Sequence, residues 1–320
     1  MITGTKFYNP ALFAGVLLAA ALASGCMSDD SSVEKNPDLI DDREITASTT
    51  PEIDDPESGA GNTEVLSAPS GPDAITDLVL ITGQSNALGA LTTFDPQLDS
   101  PADRFYAYTD TGWQQASLKQ VWDLGWHPRT AIDTDPHNNF AFHFGKTISA
   151  RRGDRVVGIV LVTAPGEGIS HWDAGNVFFN KIRTKALAAL NELPHKSSFD
   201  GILWHQGETD WAKSGSLDTD LAGLEIDTNY YSNKLAQVIE NFRRESWFDD
   251  EKPFICGETA QSPINVRLTA LNRNSDPWTA CVEGEGLATY DEAQVHFTAE
   301  SLRILGANYA DRYLIMAKEP

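Results

Sequence analysis

The sequence predicts an α/β fold over residues 76–320, with a parallel sheet covered by helices on both faces. Two observations predict it. Short apolar runs rich in β-branched residues recur along this part of the chain, and segments with apolar residues at helical spacing lie between them. Continuous apolar strands of this kind are buried on both faces, as in sheets built from β-α-β units. We therefore expect three layers, α/β/α, around a parallel sheet of about five strands.

The individual elements follow from the same two patterns. The apolar runs predict strands at 77–82, 155–163, 201–204 and 253–256. Helical spacing predicts helices at 140–151, 177–193, 230–244 and about 298–316, the last with Thr298 as its capping residue. Residues 92–138 and 209–228 show neither period, so we expect long loops there. Ligand sites in such folds gather beyond the carboxyl ends of the strands.

The N-terminal segment has a different character from the rest. Lys6 precedes a short apolar run at 11–24, which has the length of a secretory signal and is too short to span a bilayer comfortably. The run ends in Leu-Ala-Ser-Gly-Cys at 22–26, which resembles the lipobox of bacterial lipoproteins. The resemblance implies a lipoprotein signal peptide at 1–25 and lipidation of Cys26. The alternatives are an ordinary cleaved signal and a retained N-terminal helix.

Residues 26–75 are expected to form a lipidated, disordered acidic tether. Residues 27–75 hold 13 acidic and 2 basic residues, a net charge of −11, which is half of the −22 of the whole chain. Such a segment buries too little apolar surface to offset the entropy of ordering. Met27 follows Cys26 where lipoproteins retained at the inner membrane often carry Asp. By analogy we expect an exported protein anchored to the outer membrane, in the periplasm or at the surface.

Charge and cysteine content restrict the partners of the domain. The domain is net negative by about −12, with basic pairs at 151–152 and 243–244, so nucleic acid is not expected to bind. Cys256 and Cys281 are its two cysteines. In an exported chain such a pair predicts one disulfide, which would close a loop of about 25 residues and contribute roughly 3–4 kcal/mol. Two buried free thiols are the alternative.

Four polar strings follow the predicted strands or precede the last helix. They are G-Q-S-N at 83–86, P-G-E-G-I-S-H-W at 165–172, W-H-Q-G-E-T-D at 204–210 and V-H-F-T at 295–298. Gly83 permits a tight turn, which would place Ser85 at a strand end near the start of a helix, where a serine nucleophile is needed. The first string alone is weak evidence, because Ser and Asn are ordinary helix caps. The ordered set of four is specific.

Together the four strings resemble the SGNH-hydrolase superfamily, in its branch of sialic-acid O-acetylesterases and carbohydrate acetylesterases (acetylxylan esterases). The resemblance covers about 77–315. It implies that Ser85 is the nucleophile and His296 its base. It also implies an oxyanion hole made by the backbone N–H of Ser85, a glycine N–H (Gly166, with Gly168 second) and the side-chain amide of Gln206. The implied reaction removes O-acetyl groups from carbohydrate through an acyl-enzyme, without a cofactor.

The acid of the triad is where the sequence departs from that superfamily. The family's aspartate stands three residues before the histidine, and that position is Ala293 here. Asp291 and Glu292 lie nearby, and Glu208 lies in the third string. We favour Glu208, because it leaves a strand beside the nucleophile turn, whereas Asp291 has to fold back through a longer loop.

Two other functions remain open from the sequence. One is a broader short-chain carboxylesterase, and the other is a catalytically decayed, lipid-anchored carbohydrate-binding protein, which Ala293 would explain. No metal site is expected, because the histidines lack a paired ligand spacing: His127, His137, His143 and His171. Four tryptophans could stack on sugar rings or pack the fold: Trp113, Trp122, Trp126 and Trp172. The sequence leaves the sugar and the oligomeric state undetermined.

Overall fold

The computed structural model describes residues 71–89, 94–118, 124–125, 138–215, 228–272 and 276–317. The predicted signal peptide 1–25, Cys26 and residues 26–70 of the predicted tether lie outside them, as do Trp122, Trp126, His127 and His137. Within the described ranges, no helix is both long enough and apolar enough to cross a membrane.

The described part of the chain is built around a seven-stranded sheet. The strands are β1 Asp77–Gly83, β2 Phe105–Thr109, β3 Gly112–Gln115, β4 Val157–Thr163, β5 Gly201–His205, β6 Phe254–Gly257 and β7 Thr279–Val282. Their order across the sheet is β3-β2-β4-β1-β5-β6-β7. All neighbouring pairs are parallel except β2 and β3. Strand β1, which is followed by Ser85, is therefore central, between β4 and β5.

The α/β class and the largely parallel sheet are confirmed, and the number of strands is corrected from about five to seven. The predicted strands correspond to β1, β4, β5 and β6. The hairpin of β2 and β3 lies inside the region expected to be a loop, 92–138. It was missed because each strand has five residues or fewer and β3 is half-exposed, so its apolar pattern is weak.

Helices cover both faces of this sheet. They are α1 Ser85–Leu88, α2 Phe140–Arg151, α3 Val177–Asn191, α4 Glu208–Gly215, α5 Thr228–Arg243, α6 Asn265–Leu271 and α7 Ala299–Met316. Alternate residues of β1 enter two different cores, because side chains alternate across a strand. Leu78 and Leu80 pack with α3 and α5, whereas Val79 and Ile81 pack with α2 and α7. The three-layer arrangement is therefore as expected.

Local signals explain the helix ends near the site. Thr298 caps α7 as predicted, and its hydroxyl accepts a hydrogen bond from the Ser301 N–H at 3.2 Å. Helix α4 was not predicted, since it lies in the expected loop 209–228. It begins directly at Glu208, at the end of the W-H-Q-G-E string, with Asp210 also in its first turn.

The predicted disulfide is confirmed between Cys256 and Cys281. The two residues are register partners on neighbouring parallel strands, β6 and β7, with Cα atoms 4.3 Å apart. The bond therefore fastens β7 to the rest of the sheet, and β7 leads into the segment that carries Asp291 and His296.

Candidate active site

The nucleophile turn begins where β1 meets β5. The Gln84 N–H donates to the His205 carbonyl at 3.0 Å, and a Cβ added at Gly83 would overlap that same carbonyl oxygen. Only glycine therefore allows the two strands to come this close. The chain then turns sharply into α1, with Ser85 as its first residue. This places Ser85 at the carboxyl edge of the central strand, as the sequence predicts.

His296 and Asp291 complete a hydrogen-bonded chain that starts at Ser85. Nε2 of His296 lies 2.9 Å from Oγ of Ser85, and Nδ1 of His296 lies 2.5 Å from Oδ2 of Asp291. The side chains of His296 and Asp291 are 31% and 23% exposed. A hydroxyl, an imidazole and a carboxylate thus stand in line at a site that solvent reaches, which is the arrangement of a serine hydrolase triad.

A small hairpin brings Asp291 into contact with His296 although the two residues are five positions apart. Thr289 and Phe297 form an antiparallel bridge, and the tip between them turns through Gln294, which has a φ of 54°. The Asp291 carboxylate accepts the N–H groups of Val295 (2.7 Å) and His296 (2.9 Å). Asp291 therefore holds both the ring and the backbone of the histidine, from five residues away.

The preference for Glu208 as the acid is corrected by these contacts. Oε1 of Glu208 lies 3.1 Å from Nε2 of His205 and 2.6 Å from Nδ2 of Asn86, and Oε2 has no hydrogen-bond partner. Burial raises the pKa of Glu208, but the charge of His205 and hydrogen bonds from His205 and Asn86 outweigh it and hold the pKa below its usual value. Glu208 does reach a histidine from the strand end, but that histidine is His205.

Two loops expected to contribute to the oxyanion hole lie side by side. Gly166 lies in the turn after β4, in a left-handed conformation with φ 76°. That turn is tied to the nucleophile strand, because the Ala164 N–H donates to the Gly83 carbonyl at 2.8 Å. Ser85 and Gly166 therefore belong to adjacent loops at one edge of the sheet. Gly168, the second candidate, faces the Asp210 carboxylate, to which the next residue donates its N–H at 3.0 Å.

Gln206 does not offer its amide to an oxyanion, which corrects the prediction made for it. Its Nε2 donates to the carbonyl of Glu167 (3.3 Å) and to the carboxylate of Asp210, so both amide protons are used. The atom left without a partner is Oε1, which can only accept hydrogen bonds. Gln206 instead braces the turn that carries Gly166.

The remaining predicted residues have structural positions. Trp172 is fully buried, donates from Nε1 to Oγ1 of Thr82 at 2.9 Å and packs against Trp204 and Phe178. The ring of Trp113 packs against that of Tyr108 in the β2–β3 hairpin, with the planes tilted by 55°. Both pack the fold instead of presenting a face to a sugar. Among the described residues, no cluster of three or more His, Cys, Asp or Glu side chains could hold a metal ion.

Two residues beside Ser85 and His296 were not predicted from the sequence. Asn86 is part of the G-Q-S-N string, so its position next to the nucleophile was available as a signal. Tyr290 was not, because no pattern marks it. Its ring stacks on that of His296, with centroids 5.8 Å apart and planes 19° apart, and it is 42% exposed.

Comparison with known proteins identifies the family. The family model described as carbohydrate esterase, sialic acid-specific acetylesterase matches residues 75–315. No curated protein sequence matches the chain.

Three solved structures share the fold at low sequence identity. A protein from Arabidopsis thaliana is 21% identical, with a TM-score of 0.57 over 77% of this chain and 99% of that one. NanS is 15% identical, with a TM-score of 0.53 over 75% and 96%. A carbohydrate acetylesterase from Xanthomonas citri is 20% identical, with a TM-score of 0.50 over 75% and 56%.

Proposed function

This chain belongs to the sialic acid-specific acetylesterase family of carbohydrate esterases, and on that premise we propose that Ser85, His296 and Asp291 are its catalytic triad. As a member of the family it is a carboxylic ester hydrolase that removes O-acetyl groups from carbohydrate. The observation that carries the proposal is the unbroken contact from Oγ of Ser85 through His296 to Asp291, at 2.9 and 2.5 Å.

The acylation step follows from this geometry. Oγ of Ser85 attacks the acetyl carbonyl carbon while its proton passes to Nε2 of His296. The carbonyl oxygen becomes an oxyanion, and the backbone N–H groups of Ser85 and Gly166 are its proposed donors. His296 then gives its proton to the sugar oxygen, the C–O ester bond breaks, and the acetyl group remains on Ser85. Asp291 holds the Nδ1 proton in place and stabilises the imidazolium.

Deacylation uses the same residues with water in place of serine. His296 removes a proton from water, which attacks the acetyl carbon. The second tetrahedral intermediate collapses, the proton returns to Oγ of Ser85, and acetate leaves. Every proton in the cycle passes through Nε2 of His296, which faces both Ser85 and the open site.

A hydrolysis assay tests the proposal and its competitors together. The secreted domain should turn over p-nitrophenyl acetate and release acetate from at least one O-acetylated glycan, with Ser85→Ala abolishing both. A panel of O-acetyl sialic acid, acetylated xylan and acetylated pectin would name the sugar. A decayed binding protein would show no serine-dependent turnover, and a general short-chain esterase would hydrolyse butyrate esters as fast as acetyl glycans.

We also propose that the enzyme is exported and anchored by lipid at Cys26, through the tether 26–75. The Cys256–Cys281 disulfide supports export, because such bonds persist in oxidising compartments. Cys26→Ser should move the protein from the membrane to the soluble fraction of the native host and prevent labelling with radioactive palmitate. Membrane association of that variant would indicate a retained N-terminal helix instead.

A further inference from the structure

We propose that Glu208 is a positioning residue, which keeps His296 aligned with Ser85 by fixing the side-chain amide of Asn86. The inference rests on the proposed triad and assigns a role to a buried carboxylate that the reaction itself does not use. Three groups of contacts carry it: those of Asn86 with the histidine loop, those of Glu208 with Asn86, and those of Glu208 with the strand behind it.

Asn86 joins the nucleophile to the base. It follows Ser85 in the chain, and its side chain is 2% exposed. Its Nδ2 donates to the carbonyl of Val295 at 2.9 Å, and its Oδ1 accepts from the N–H of Phe297 at 3.1 Å. These two residues flank His296 on either side. One amide therefore sets the position of the histidine backbone relative to Ser85, across 209 residues of chain.

Glu208 adds a third contact that fixes the orientation of that amide. Its Oε1 accepts the second Nδ2 proton of Asn86 at 2.6 Å. An ionised carboxylate and a peptide carbonyl are both acceptors, so the NH₂ group of Asn86 has to point at them. The carbonyl oxygen of Asn86 is then left for the Phe297 N–H. Without an acceptor at 208, the amide keeps its contacts with Val295 and Phe297 but loses the buried one that anchors it to the core.

The Glu208 carboxylate is in turn held in place by residues of β5 and α7. Nε2 of His205 lies 3.1 Å from Oε1 of Glu208, and Nδ1 lies 3.3 Å from the hydroxyl of Tyr309. That hydroxyl donates to the carbonyl of Trp204 at 2.6 Å. His205 and Tyr309 are fully buried, so no substrate reaches this pair. The buried pair of His205 and Tyr309 is therefore the rigid support from which the contacts through Glu208 and Asn86 reach His296.

The role requires an acceptor at position 208 and does not require a negative charge. Glu208→Gln keeps an oxygen for both Asn86 and His205, so kcat should fall by less than about five-fold. Glu208→Leu keeps the volume and removes the acceptor, so we expect kcat to fall by roughly 100-fold, since small displacements of reacting groups cost about that much. KM should change little in either variant. Glu208→Leu in the Asn86→Ala background should cause no further loss.

Amide hydrogen exchange provides a readout that does not need activity. In Glu208→Leu, protection of the Phe297 N–H should fall, because its acceptor on Asn86 has lost its anchor to the core. In the control Asp291→Ala, which removes both carboxylate oxygens, the N–H groups of Val295 and His296 should lose protection instead. Unfolding of Glu208→Leu would be recognised by loss of protection in all strands, and Asn86→Ala would then replace it in the same measurement.

Three results would overturn the inference. They are equal losses of kcat in Glu208→Gln and Glu208→Leu, additive losses in the double variant, and unchanged protection of Phe297 in a folded Glu208→Leu. Failure of the triad itself would look different: the Ser85→Ala variant would keep the turnover of the wild type, while the exchange pattern around Asn86 would stay as described.

Discussion

Two histidine–carboxylate pairs lie close together in this protein, and they differ in their exposure and in the partner of the second ring nitrogen. In the pair His296–Asp291 the side chains are 31% and 23% exposed, and the second ring nitrogen faces Oγ of Ser85. In the pair His205–Glu208 the side chains are 0% and 3% exposed, and the second ring nitrogen faces Tyr309. The first sits on a hairpin and the second on the end of β5 and the start of α4.

The difference shows what turns such a pair into a catalytic one. A carboxylate can orient an imidazole anywhere in a protein, but proton transfer also needs a reactive hydroxyl on the far nitrogen and room for the substrate. Only the pair at His296 has both. The pair at His205 has the same chemistry without access, so it is suited to hold neighbouring groups in place.

We expect the largest effect from removal of the Ser85 hydroxyl, which contacts the exposed pair His296–Asp291. Ser85→Ala should lower kcat for p-nitrophenyl acetate by roughly 10⁴-fold or more, because nothing else receives activation from His296. The melting temperature should stay close to that of the wild type. Ser170→Ala, at an exposed serine of the short 3-10 helix Ile169–Trp172, is the control and should keep normal kinetics.

The next effect separates the two carboxylates. Asp291→Asn should lower kcat by about 10³–10⁴-fold with KM little changed, because Asp291 both sets the tautomer of His296 and stabilises its cation. Glu292→Gln, at an exposed neighbour, should leave both parameters unchanged. A larger loss from Glu208→Gln than from Asp291→Asn would reverse the assignment.

For the free energy of unfolding, we expect the buried pair His205–Glu208 to contribute more than a partly exposed pair such as His171–Glu167. His205→Leu should lower the free energy of unfolding by about 3–5 kcal/mol, because it leaves the buried Glu208 carboxylate without the ring nitrogen that it contacts. His171→Gln, which breaks the half-exposed contact with Glu167, should cost at most about 1 kcal/mol. Urea unfolding of both variants measures this, and equal losses would contradict it.

The buried pair also predicts a pH dependence of stability. The pKa of Glu208 is held below its usual value, so the folded state binds the proton less readily than the unfolded chain. The stabilisation is therefore complete at neutral pH and is lost as the pH falls below about 4.5, the ordinary value. Unfolding measured from pH 7 to pH 3 should show this loss in wild type and a smaller one in Glu208→Gln.

The smallest effect concerns the aromatic rings around the two histidines. His205 lies against Phe140 and Phe297 in the core, whereas His296 has the partly exposed ring of Tyr290. A stacked ring stabilises the imidazolium by about 0.5–1 kcal/mol at such a site. Tyr290→Leu should therefore lower kcat/KM by about two- to five-fold, and Tyr290→Phe should not. Equal losses would mean that the hydroxyl matters instead.

The two pairs also show how much of the site can be predicted from the sequence. The contact between Ser85 and His296 and the four core strands were predictable, because motifs and apolar runs indicate them directly. The disulfide was predictable because only Cys256 and Cys281 remained to pair. The choice between Glu208 and Asp291 as the partner of His296 was not predictable, since the sequence alone allows either carboxylate to reach that ring. It depends on the backbone conformation of Gln294, and left-handed glutamine is too uncommon to expect.

That left-handed residue affects how relatives of this enzyme should be sorted from sequence. A search for aspartate three residues before the histidine would count this chain among forms without an acid and set it aside as inactive. With Gln294 turning the chain, a separation of five residues reaches Nδ1 of His296 and caps two backbone N–H groups as well. On the proposed triad, sequences with Asp-x₄-His, and a residue such as Asn or Gly two before the histidine, would keep the acid and belong with the complete enzymes.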